Sequence, residues 1–178
     1  LKYYSNHQYL KLYLHKIGNI NIIMHRPPKG KIKNLTIKQN NAGQFFAILC
    51  CEVPSIKIEH PNNEKIGIDL GLENYATLSN GEIINNPKYL IRSEKRLKLL
   101  SRRLSKKKKG SKNREKARLR LTKLHLKVSN QRCDFLHKSS HTLTKRFSEI
   151  NIEDLNIMSM IRANFFNKSI HDASWRIF

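Results

Sequence analysis

The segment from Arg92 to Lys127 constrains the chain more than any other. It holds 17 Lys/Arg and two Glu, a net +15 of the +22 carried by all 178 residues. Like charges at that density cannot enter a core, and they repel one another along any helix they form. The segment nevertheless has an apolar rhythm. Leu90, Leu97, Leu100 and Leu104 recur at helical spacing, and after Gly110-Ser111 the spacing resumes with Ala117, Leu121, Leu124, Val128 and Phe135. This predicts two helices, over about residues 87–147, folding back antiparallel around a Lys/Gly/Ser turn with their apolar seams facing. A solvated helix face usually mixes its charges, and mixing is absent here, so an anionic partner explains the run better. The candidate nucleic-acid contacts are Arg92, Lys95, Arg96, Arg102, Arg103, Lys106, Lys107, Lys108, Lys109, Lys112, Arg114, Arg118, Arg120, Lys123 and Arg132. Arg supplies bidentate phosphate contacts and Lys point charges; both read backbone rather than base sequence.

Around this run the chain reads as β structure. Tyr9–Leu14, Asn19–His25, Lys31–Lys38 and Gln44–Val53 are short strand-like runs separated by Gly18, Pro27-Pro28-Lys29-Gly30 and Asn40-Asn41-Ala42-Gly43. The polar stretch His60-Pro61-Asn62-Asn63-Glu64 is the linker candidate, which divides the chain into a β-rich unit, residues 1–64, and a second unit, residues 65–178. The second unit opens with strands at Lys65–Gly71, Tyr75–Ser79 and Glu82–Ile84, the last two joined by Asn80-Gly81, a strong hairpin signal. Asn86 reads as a helix N-cap with Pro87 at the first helical position. Glu149–Glu153 reads as a returning strand and Lys168–Phe178 as a helix, which makes the fold class α+β.

Two carboxylates stand out. On the strand Lys65–Gly71, Ile66, Ile68 and Leu70 share one face, leaving Asp69 on the other with Gly67 and Gly71. On the returning strand Ile150 and Ile152 pack one way while Asn151 and Glu153 point the other. If the two strands are parallel neighbours, which the long helical connection permits, Asp69 and Glu153 converge, and a divalent cation such as Mg²⁺ would relieve their repulsion. Read singly, Asp69 is a turn or cap residue, and Glu153-Asp154 could simply precede a helix capped by Asp154 or Asn156. Gly67-Ile68-Asp69-Leu70-Gly71 also resembles the first phosphate loop of actin-like ATPases, but Leu72-Glu73-Asn74 follows where that loop has Thr or Ser. His137 and His141, four apart, could ligate a metal, though no third ligand is evident. Cys50, Cys51 and Cys133 form no CxxC pair, so a reducing compartment is expected. The longest apolar run, Phe45–Cys51, is too short to span a membrane.

Several motifs in one order carry a family resemblance. They are His25-Arg26-Pro27, Gly67-Ile68-Asp69-Leu70-Gly71, Ala76-Thr77-Leu78-Ser79, Asn86-Pro87-Lys88 and the run Arg102 to Arg114. Asn130-Gln131-Arg132, Asp134-Phe135-Leu136-His137-Lys138, Ile152-Glu153-Asp154-Leu155-Asn156 and Asp172-Ala173-Ser174-Trp175 follow. Together they resemble the TnpB (OrfB) proteins of prokaryotic insertion sequences, which are RNA-guided DNA nucleases related to type V CRISPR effectors. The resemblance implies a wedge-like β domain, then a partial RuvC-like domain of ribonuclease H fold interrupted by the basic hairpin. It implies that Asp69 and Glu153 are catalytic and hold Mg²⁺ or Mn²⁺, that DNA and guide RNA are the partners, and that the protein works in a prokaryotic cytoplasm. The family's cysteine zinc ribbon and third catalytic Asp have no counterpart here, and Arg176 stands where the family commonly has Gly. The expectation is therefore a fragment or degenerate copy that does not cut DNA efficiently alone. The alternative is a non-catalytic basic scaffold for nucleic acid.

Overall fold

A computed structural model describes residues 9–24, 27–55, 63–162, 166–175 and 178. His25, Arg26, the His60-Pro61-Asn62 part of the linker candidate, and Arg176 lie outside the described residues. The fold is α+β, and the chain divides into two compact units, Leu1–Lys57 and Ile58–Phe178.

The first unit contains two antiparallel hairpins. Strand β1 (Tyr9–Leu14) pairs with β2 (Gly18–Ile23), and β3 (Lys31–Gln39) pairs with β4 (Phe45–Glu52). The Asn40 side chain organises the second turn: its Oδ1 accepts from the N–H groups of Ala42 and Gln44 at 3.0 and 2.9 Å.

The second unit is built on a four-stranded sheet in the order β7-β6-β5-β8. Its strands are β5 (Lys65–Leu70), β6 (Asn74–Leu78), β7 (Ile83–Asn85) and β8 (Glu149–Ile152). The turn between β6 and β7 takes a three-residue form. The Leu78 N–H donates to the Glu82 carbonyl, the Gly81 N–H donates to the Leu78 carbonyl, and only Gly81, at φ +88°, is left-handed. That is a type I turn closed by a glycine bulge, not the two-residue turn that Asn-Gly most often makes. β5 and β8 are parallel neighbours, with Gly67 opposite Asn151 and Ile68 opposite Ile152. The crossover between them contains α1 (Tyr89–Ser105) and α2 (Lys112–Arg146), which pack as the antiparallel pair anticipated from their apolar spacing.

One face of the sheet is buried because Ile66, Ile68, Ala76 and Leu78 alternate onto it, and beside the register irregularity between Asn74 and Ala76 the adjacent Tyr75 is buried as well. Ile66, Ile68, Tyr75, Ala76 and Leu78 join Leu136, Leu143 and Phe147 from the end of α2. Ile170, Ala173 and Trp175, from α4 (Asn167–Ala173) and the residues after it, complete this core. A short α3 (Ile157–Arg162) precedes α4, and Asn156 caps it by accepting from the Ser159 N–H at 3.0 Å. No described helix is long and apolar enough to cross a membrane.

The start of α1 differs from the sequence reading. Asn86 is not its N-cap: Asn86 Oδ1 accepts from the Lys88 N–H, its Nδ2 donates to the Leu72 carbonyl, and Lys88 adopts a left-handed conformation at φ 49°. The helix therefore begins only at Tyr89. Its open amides are capped from far along the chain, where Asp172 accepts from the Leu90 N–H at 2.9 Å and the Ile91 N–H at 3.2 Å. Asp172, at 5% exposure, is the buried charged residue of the described chain. Its charge is tolerable there because two N–H groups and the positive end of the α1 dipole meet it.

Candidate functional site

The exposed face of the sheet presents polar side chains from three adjacent strands. Asp69 pairs with Thr77 across β5 and β6, while on the other side it is one residue beyond the Ile68–Ile152 pair, level with Glu153. Gly67, Asp69, Thr77, Ser79, Asn151 and Glu153 line a single open groove of about 550 Å³. The parallel register thus brings together the two carboxylates singled out in the sequence. Neither makes an ion pair with a described residue, although the chain carries 35 Lys/Arg. Thr77, Ser79 and Asn151 share this face by the same period-two rule, a signal present in the sequence once the strand pairing is known.

The flanking glycines have different causes. A Cβ on Gly67 would meet the Ser79 side chain at ordinary contact distance, and Ser79 Oγ accepts the Gly67 N–H at 3.1 Å. A Cβ on Gly71 would lie 2.8 Å from the Asn74 carbonyl oxygen, so this glycine serves the β5–β6 turn rather than clearing space for a ligand. His137 and His141 are both exposed, and no group of three or more metal-ligating side chains forms among the described residues. Cys50, Cys51 and Cys133 are free.

The basic candidates fall into two groups. Arg92, Lys95, Arg96, Arg102, Arg103, Lys106, Lys107, Lys108, Lys109, Lys112, Arg118, Arg120 and Lys123 are exposed along the hairpin. Arg114 and Arg132 instead close helix ends. Arg114 Nη1 donates to the carbonyls of Leu104 and Lys107 at 3.0 and 2.9 Å, and Arg132 Nη1 donates to the His171 carbonyl at 2.6 Å. Both therefore satisfy carbonyls that a helix C-terminus leaves open. The sequence offered no means of separating these two from the rest, because the partner carbonyls belong to other elements.

Ion pairs link α1 to α4, the end of α2 to the β6–β7 turn, and β5 to β8. Glu94 binds Lys98 and Lys168 at 2.8 and 2.6 Å, and these two ammonium groups, Lys168 first, hold its carboxyl down to about 2. Glu82 forms a two-point pair with Arg146, which lowers its pKa, and Lys65 does the same to Glu149 across the parallel strands.

Comparison with known proteins places the chain in a family. The OrfB_IS605 family, described as "Probable transposase", matches residues 48–164. The chain belongs to this family. The OrfB match covers the β5–β8 sheet, the whole hairpin and α3. A Streptomyces pristinaespiralis protein named "Putative RNA-guided DNA endonuclease" is 37% identical over 149 residues, covering 84% of this chain and 37% of that protein. "Putative RNA-guided DNA endonuclease InsQ" from Escherichia coli K12 is 30% identical over 180 residues, covering 93% of this chain and 44% of that protein. The chain thus spans less than half the length of these two OrfB relatives.

Proposed function

We propose that this chain is the RuvC-like, metal-dependent nuclease region of an RNA-guided DNA endonuclease. In this reading Asp69 and Glu153 hold a divalent cation, and the α1–α2 hairpin lies along guide RNA and target DNA. The observation that carries the reading is the pair of carboxylates without a cationic partner among the described residues, level on adjacent strands, in a chain of net charge +22. A sheet in the order β7-β6-β5-β8, with β8 parallel to β5 and the other pairs antiparallel, supports a ribonuclease H-like architecture. The names of the two relatives support RNA-guided DNA cleavage as the activity.

The donor set suits Mg²⁺ or Mn²⁺, because such ions bind through one or two carboxylates and complete their shell with water and substrate phosphate. When bound, the ion supplies charge stabilisation at the scissile phosphate and a more acidic coordinated water. Asp69 and Glu153 are its ligands. Thr77 and Ser79 offer hydroxyls, and Asn151 an amide, to a phosphate backbone lying in the same groove. The hairpin holds that backbone through Lys and Arg contacts that carry no sequence information, which leaves target choice to base pairing.

Mn²⁺ binding tests the site directly, since a +22 chain repels cations and any retained ion reports a specific set of ligands. Titration followed by the free-ion EPR signal should show binding that weakens at least about tenfold in Asp69→Asn and in Glu153→Gln. Equal Mn²⁺ retention in wild type and both variants would overturn the assignment in favour of a non-catalytic scaffold.

A further inference from the structure

Near its tip the hairpin contains a second concavity, about 450 Å³, separate from the carboxylate groove and assigned no role above. Leu100 from α1 and Ala117 from α2, both half-buried, give it an apolar floor. Arg103, Lys106 and Lys107 approach from the end of α1, and Lys116 and Arg120 from the first turns of α2. No acidic side chain lines it, and none of these five cations is in an ion pair with a described residue.

The shape and the chemistry together select the ligand. A paired duplex presents its phosphates on a convex surface and hides its base faces, so it has no use for a pocket with an aliphatic floor. An unpaired nucleotide has both an anionic phosphate and an exposed base face. The volume falls within the roughly 300–1,000 Å³ of pockets that enclose small ligands. Unpaired bases are read by stacking on aromatic rings or on Arg guanidinium planes, and the two arginines supply such planes where aromatic side chains are absent. Asn113, also lining the pocket, offers an amide donor and acceptor to a base edge.

The pocket is also set before binding. Arg114 ties the end of α1 through the Leu104 and Lys107 carbonyls, and Ser111 caps α2 by accepting from the Arg114 N–H at 3.2 Å. This cross-brace fixes the separation of the walls and lowers the ordering cost of binding.

We propose that this pocket receives one unpaired nucleotide from a bulge or loop of a bound nucleic acid. Its phosphate lies against the cations and its base against Leu100 and Ala117. The proposal rests on the reading of the hairpin as a nucleic-acid interface and adds a preference for an extruded nucleotide.

The test uses residues 1–178 and four probes: an RNA stem with a single-nucleotide 2-aminopurine bulge, the fully paired stem, and the DNA versions of both. The bulged RNA should bind roughly tenfold more tightly than the paired one, the lower range of a base-stacking contact, with a change in 2-aminopurine fluorescence. Ala117→Leu fills the floor without altering charge, and should remove the preference while leaving paired-stem affinity in place. Asn113→Ala, in an exposed first turn, is a second variant that should weaken the preference should Ala117→Leu lower the melting temperature. The same preference for bulged over paired DNA would support the pocket and exclude a role for the 2′-hydroxyl. Equal affinity for bulged and paired probes, or a preference surviving both substitutions, would overturn the proposal. A steep salt dependence in that case would leave the interface reading standing, whereas a flat one would overturn both.

Discussion

At its root the basic hairpin is surrounded by compensated charge. Glu94 holds Lys98 and Lys168, Asp134 holds Lys138, Glu82 holds Arg146, and Asp172 closes the first turn of α1. From Leu99 to Gln131 the same two helices carry 13 Lys/Arg and one Glu, and none of these forms an ion pair with a described residue. One pair of helices thus follows two electrostatic rules along its length. The carboxylates at the root serve the fold, since Glu82, Glu94, Asp134 and Asp172 each have a partner on another turn or another element, whereas Arg92, Lys95 and Arg96 stay exposed and form no ion pair with a described residue. Arg114 apart, which braces the turn through the Leu104 and Lys107 carbonyls, the distal charges oppose the fold by repelling one another, so what they favour is an external polyanion.

The sharpest way to break this contrast is at the turn. Replacing Lys106, Lys107, Lys108 and Lys109 by Ala should weaken nucleic-acid binding by about 10²–10³-fold near 0.1 M salt and shrink the log–log salt slope by about 3–4. Thermal stability should hold or rise, because the substitution removes repulsion. An unchanged slope, measured by anisotropy across a salt series, would mean that the turn is not where phosphates are met.

The root should respond in the opposite sense. Asp172→Ala leaves the Leu90 and Ile91 amides open and is expected to cost about 2 kcal/mol, lowering Tm by about 4–8 °C. Asp172→Asn keeps one acceptor and should lose less. The salt slope of nucleic-acid binding should stay as in wild type, and a slope that fell with Asp172→Ala would show the two ends to be one functional unit.

The smallest effect lies in pH. Glu94 titrates near 2 in the folded chain against an ordinary 4.5, so its contribution is complete above about 4.5 and is lost as pH falls toward 2. Glu82 and Glu149 are shifted in the same direction. Urea melts between pH 6 and 3 should therefore show declining stability, and Glu94→Gln should flatten that decline. Exposed pairs of this kind contribute little each, so an acid limb as steep in Glu94→Gln as in wild type would assign the loss to Glu82 and Glu149.

What the sequence disclosed follows from how local each signal is. The strands near residues 9–52, the helix break at Gly110-Ser111 and the shared face of Asp69 and Glu153 are written in periodicity and turn residues, and the structure has all of them. Ser111 caps α2 from the adjacent position, as its type suggests. What the sequence did not disclose concerns mostly groups whose partners are distant. Asn86 carried a sound local signature for a helix start, yet its side chain is taken by Lys88 and Leu72. The cap of α1 comes instead from Asp172, at a separation of 82 residues. Arg114 and Arg132 were inseparable from their basic neighbours because what distinguishes them is a carbonyl on another element.

That 82-residue separation also sets an order of events during synthesis. At roughly 5–20 residues per second, Asp172 leaves the ribosome about 4–16 s after Leu90. The α1–α2 pair is contiguous in sequence, with its closest partners next to the turn, which favours zipping from the tip, but its first turn stays unfinished through that delay. The pair of helices contiguous in sequence is therefore among the last elements to be completed, and a pause in translation between residues 147 and 172 would prolong the interval in which its base is open.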